Sequence, residues 1–100
     1  MALRIELHPG AEIDIEEARR WYAQRSPIAA HAFLLEVEHV MERVAGSPER
    51  WPSHIADTRS YSFPRFPFRL VYFVRDSVVV VVAVCHHRRK PGYWAVRGGK

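Results

Sequence analysis

The run from Val78 to Cys85 constrains the fold more than any other feature: eight apolar residues in a row, the first five of them valine. Branching at Cβ stiffens valine and favours extended backbone. With no polar face to show to water, such a strand must lie inside a sheet and be covered on both sides. Eight residues are far too few to cross a bilayer as a helix. Asp76-Ser77 supplies a tight turn before it, and Phe68 to Val74 reads as the strand that enters that turn. Thr58 to Phe63 reads as a further strand, reached through an irregular connection from Pro48 to Ile55. Consecutive strands with short links favour an antiparallel meander.

The first half of the chain has other periods. Leu3, Ile5 and Leu7 alternate with Arg4 and Glu6, the pattern of a half-buried strand, until His8-Pro9-Gly10 breaks it. Ala11, Ile15, Ala18 and Tyr22 then share one helical face, with acidic residues crowding the start and arginines the end, as the helix dipole favours. Ser26 and Pro27 restart a helix as N-cap and first residue. Ala29, Phe33, Val37, Val40 and Val44 form its apolar stripe, and Gly46 and Pro48 end it. Two helices joined so tightly form an antiparallel hairpin. The order β-α-α-β-β-β predicts an α+β domain, with the hairpin packed on one face of a mainly antiparallel sheet. A short tail adds a helical turn from Pro91. At 100 residues, 48% of them hydrophobic, the chain is expected to form a single domain over residues 1–100.

Charge is divided unevenly. Residues 1–56 carry six arginines against nine acidic residues, whereas residues 57–100 carry nine Arg and Lys against two Asp. The basic half suits a polyanion or an acidic partner, or simply a solvated surface. The single cysteine, Cys85, excludes an internal disulfide and fits a reducing cytoplasm. No secretory leader is expected, because Arg4 and Glu6 interrupt any apolar stretch at the N-terminus.

The segment carrying most chemistry is His86-His87-Arg88-Arg89-Lys90-Pro91-Gly92-Tyr93-Trp94, where the backbone leaves the buried strand. Imidazoles, permanent cations and aromatics together suit phosphate contact and base stacking. Arg69, in an otherwise apolar strand, must face solvent or find an anion. His86, His87, Arg89 and Tyr93 are the catalytic candidates beside it. Arg59, Arg65, Arg88, Lys90 and Trp94 are the candidate contacts to nucleic acid or a partner, although Trp94 equally suits a plug docking the tail. These groups are expected to meet on the sheet face opposite the helices. No metal or cofactor is expected: one cysteine beside two histidines is a poor zinc set, and His31 and His39 stand eight apart. There is no phosphate-cradling glycine loop and no Gly-x-Ser-x-Gly elbow.

Several segments resemble one family in order. Ala11-Glu12-Ile13-Asp14-Ile15-Glu16-Glu17-Ala18 with Trp21-Tyr22 resembles the first helix of RelE/ParE superfamily toxins. Ala32-Phe33, Glu36-Val37-Glu38 and Pro48-Glu49-Arg50-Trp51-Pro52 resemble the second helix and its exit. Phe66-Pro67-Phe68-Arg69-Leu70-Val71-Tyr72 and the tail from His86 to Trp94 resemble the arginine-bearing strand and the closing signature. The resemblance spans about residues 5 to 97. It implies the toxin of a type II toxin–antitoxin (plasmid stabilisation) module, held in check by a cognate antitoxin.

Activity divides within that superfamily. The ParE-like branch implies growth inhibition by binding DNA gyrase. The RelE-like branch implies a metal-independent endoribonuclease cutting mRNA on the ribosome. Arg69 matches a phosphate-stabilising arginine of the nuclease branch, and Arg89 and Tyr93 match its catalytic tail. That branch's second-strand lysines are missing, Arg59 and Arg65 being the nearest cations, and the Pro-Gly-Tyr-Trp ending is closer to ParE. A third reading is an inactive member retained for antitoxin binding.

Overall fold

A computed structural model describes residues 2–54 and 56–97. The elements run β1 (Arg4–Leu7), α1 (Pro9–Ala23), α2 (Pro27–Gly46), β2 (Ser53–His54), β3 (Thr58–Ser62), β4 (Phe68–Arg75), β5 (Val78–His86) and a 3-10 turn, Ala95–Arg97. Five strands form one sheet in the order β1-β5-β4-β3-β2. The α+β arrangement anticipated above is the one found.

The valine run becomes β5, which lies between β1 and β4 and is buried from Val81 to Cys85. It pairs antiparallel with β4 and parallel with β1, so the sheet is mixed. A bulge between Val71 and Tyr72 shifts the register, leaving Val82 as the extra residue of β5. Asp76 and Ser77 adopt φ of 52° and 61°, the left-handed pair of a two-residue hairpin turn. The short strand β2, antiparallel to β3, lies inside the stretch expected to be irregular.

Each helix begins with a built cap. His8 Nδ1 accepts from Gly10 N at 2.9 Å, so α1 starts at Pro9, two residues before its apolar period. Ser26 Oγ accepts from Ala29 N at 3.1 Å, with Pro27 in the first turn as anticipated. The hairpin buries Ala11, Ala18, Phe33, Val37, Val40 and Val44 against Leu70, Tyr72, Val79, Val81 and Val84 of the sheet. The opposite sheet face has a core of its own. Val71, Val82, Ala83 and Cys85 are covered there by Trp94 from the tail. The valine strand is therefore covered on both sides, by helices above and by the tail below.

Candidate functional site

Strand register decides which side chains can meet. Phe68 pairs with His86 and Arg69 with Cys85, and paired residues project from the same face. Phe68 belongs to the helix-side core, and the His86 ring lies edge-on to it at 5.2 Å. Arg69 projects to the other side, with Cys85 and Trp94. The expectation that Arg69, His86 and Arg89 gather on the face away from the helices is thereby corrected. One residue of offset along paired strands sends Arg69 and His86 to opposite sides.

On the helix side, the end of the sheet forms a cleft of about 470 Å³. One wall is α1, through Asp14, Glu17, Ala18, Trp21 and Tyr22. The other is Pro67, Phe68, Val84 and His86 of the sheet, closed by Arg89 and Tyr93 of the tail. The floor is apolar and aromatic, with Tyr22 edge-on to Phe66 and stacked obliquely on Phe33. Trp21 is 51% exposed and carries the Arg25 guanidinium 3.7 Å from its ring centre. Carboxylates of Asp14 and Glu17 therefore line one wall, with His86 and Arg89 across from them. Such a cleft suits an apolar side chain flanked by charge, presented by a macromolecule.

Within the cleft, His86 Nδ1 accepts from Arg88 N at 3.0 Å. A neutral imidazole arranged this way carries its proton on Nε2. Arg89 is exposed and its guanidinium lies 3.8 Å over the Tyr93 ring. Among the described residues no carboxylate forms an ion pair with Arg89. Tyr93 Oη donates to Asp14 Oδ2 at 3.0 Å. Burial, then the charge and hydrogen bond of Asp14, push this phenol well above its ordinary range. Its proton is committed to Asp14, which removes Tyr93 as a proton donor near neutral pH.

The remaining candidates scatter. His87, Arg88 and Lys90 are exposed on the tail, with His87 N donating to Pro67 O at 2.9 Å. Arg59 pairs with Tyr72, so it lies on the helix side, where its guanidinium donates to Trp51 O at 2.6 Å. Arg59 therefore pins the connection after α2 and does not extend a patch around Arg69. Arg65 has an exposed side chain, while its backbone N–H donates to the buried Glu36 carboxylate at 2.7 Å. Trp94 is 1% exposed and stacks on His54 at 5.7 Å. A buried ring cannot meet a partner, so Trp94 is the plug and not a contact. Arg69 Nε is buried and makes no hydrogen bond among the described residues. Burial, reinforced by the Arg69 charge, lowers the pKa of His54, while burial raises that of the Cys85 thiol despite the same arginine.

Asp14, Glu17, Trp21 and Arg97 were not singled out from the sequence as site residues. Asp14 carried a usable signal: it stands three residues after Ala11 and four before Ala18, on the buried stripe, where a carboxylate needs partners. Arg97 gives no such signal. Among the described residues no group of His, Cys, Asp and Glu could hold a metal, and no helix is long and apolar enough to cross a membrane.

Comparison with known proteins follows the same lines. Among curated proteins, none matches this sequence. Among solved structures, the chain is similar to one described as the chromosomal ParDE TA system from P. aeruginosa, with a TM-score of 0.76 at 13% identity, covering 85% of this chain and 96% of that one. At that identity the likeness concerns the fold. The family profile described as the ParE toxin of the type II toxin–antitoxin system parDE matches residues 5–91. With this match running from β1 to the start of the tail, the chain belongs to the ParE toxin family of type II toxin–antitoxin systems.

Proposed function

We propose that this chain arrests growth by binding DNA gyrase, and that the cleft between α1 and the tail is its contact surface. The observation carrying this reading is the separation of the groups that RNA cleavage would need together. Attack by a ribose 2′-hydroxyl requires a base and cations around one phosphate. Here His86 and Arg89 line the cleft, while Arg69 stands on the other side of the sheet and is not part of its lining. Tyr93 is held by Asp14, and Arg59 by Trp51. What is left is a surface for binding: an aromatic floor, an exposed tryptophan and an arginine with no ion-pair partner among the described residues, the residue types that dominate binding energy at interfaces.

A cognate antitoxin is the second partner. The similar structure is described as a ParDE toxin–antitoxin system, and the +7 balance of residues 57–100 favours an acidic or amphipathic segment. Brief induction in bacteria tests the gyrase reading. It predicts DNA breaks and an SOS response while transcripts stay intact. Rapid transcript cutting without DNA damage would replace it with the nuclease, and normal growth with neither response would leave an inactive member.

A further inference from the structure

β1 covers only part of β5. Its last pair is Leu7 with Val81, and His8 N then donates to Val81 O at 2.8 Å. Beyond that point the edge of β5 has no neighbouring strand among the described residues, an arrangement that leaves backbone groups in need of partners. Two side chains take the place of a strand. Asp14 Oδ2 accepts from Val84 N at 3.1 Å, and Arg97 Nη1 donates to Val82 O at 3.0 Å. The two are also paired with each other at 2.9 Å, both with side chains largely buried. Tyr93 completes the set through its hydroxyl on Asp14, with the Arg97 guanidinium 5.1 Å from its ring centre.

From these contacts we infer that Asp14, Tyr93 and Arg97 form a latch that positions Arg89 for its partner. The tail straddles the β5 edge: Tyr93 turns up to α1 while Trp94 turns under the sheet. Among the described residues Arg89 has no ion-pair partner and its guanidinium rests on the Tyr93 ring, so its direction depends on where that ring is fixed. The group it is held to meet is an anion, a carboxylate or phosphate, on the macromolecule that enters the cleft. This function of the latch rests on reading the cleft as a binding surface, whereas the latch itself does not.

Gly10 is part of the device. A Cβ there would lie 2.4 Å from Arg97 Nε and 2.5 Å from its Cζ. Arg97 thus crosses α1 where the helix has no side chain, one turn before Asp14. The substitution Gly10→Ala therefore displaces Arg97, whose atoms are the three nearest to the new Cβ, and Gly10 is not among the residues that line the cleft. Alanine is also the better helix former, so α1 itself does not suffer.

The test uses the full chain as wild type, Gly10→Ala, Arg97→Ala, Arg89→Ala and the double variant Arg97→Ala/Arg89→Ala. Exchange of the Val84 amide and tryptic cutting after Arg88 and Arg89 read the latch, the bond after Lys90 being closed to trypsin by Pro91. Growth arrest against expression level reads function and assumes no target. Gly10→Ala and Arg97→Ala are expected to speed exchange and cutting, and to weaken arrest about tenfold, as loss of one interfacial arginine does. Arg89→Ala is expected to weaken arrest equally with Val84 still protected, and the double variant to be no weaker than either single one. Unchanged Val84 exchange in both latch variants overturns the latch. A loosened tail with full arrest, or losses that multiply in the double variant, overturns the positioning role. A wild-type chain that arrests nothing overturns the toxin reading and this role together, while the exchange data still decide the latch.

Discussion

His54 sits beneath the Trp94 ring, within the field of Arg69, and both circumstances oppose its protonation. Burial is the larger cause and the guanidinium the smaller, so its pKa lies below the ordinary 6.5. The folded state thus binds this proton less readily than the unfolded chain does. The stability His54 contributes is complete above pH 6.5 and declines as pH falls below it. Arg69→Ala is expected to move the imidazole titration upward, toward 6.5 but not to it, since burial remains. An NMR titration of the ring protons checks this, and an unmoved curve would detach Arg69 from His54. Tyr72 has the opposite sign. Its hydroxyl donates to Pro48 O, and burial pushes its pKa up to about 12. Its contribution is intact below pH 10 and disappears as pH rises toward 12. Tyr72→Phe should cost about 1 kcal/mol at neutral pH by losing that bond, and should flatten the alkaline decline in thermal melting.

Among the elements, β5 shows best what periodicity can and cannot convey. An apolar run with no polar face announces a strand covered twice, and burial from Val81 to Cys85 agrees. Ser26-Pro27 likewise announced the start of α2 in chemical terms. The parallel pairing of β1 with β5 was not legible, because the partners stand some seventy residues apart and nothing local encodes it. Nor was β2, whose two residues are too few to show a period. Helix α1 begins early because His8 caps it, and histidine is not among the favoured capping residues. The turn at Asp76-Ser77 was evident by composition, but its handedness needs the structure. With Ser77 at φ 61°, Ser77→Gly relieves left-handed strain and is expected to stabilise the chain by roughly 0.5–1 kcal/mol. Chemical denaturation measures it, and a loss of stability would contradict the turn geometry.

For the molecule as a whole, the sequence gathers Arg69, His86 and Arg89 on one face of the sheet, and the structure divides them. His86 and Arg89 do line a cleft, yet Arg69 is divided from them by a single step of strand register. The residues facing them, Asp14, Glu17 and Trp21, come from a helix far away in sequence. The acidic charges of Asp14 and Glu17 read naturally as complements to the helix dipole, which hid the carboxylate of Asp14 that holds the tail. Trp94 covers the lower core, Tyr93 and Arg97 grip the upper wall, and the short tail thereby builds the site it closes.

Purified protein added to purified gyrase and supercoiled DNA tests the central claim most directly. The account predicts gyrase-dependent DNA breakage, weakened by Arg89→Ala and unaffected by Arg69→Ala, with RNA left whole. Cutting of ribosome-bound mRNA by the protein without gyrase, lost in Arg69→Ala, would contradict it.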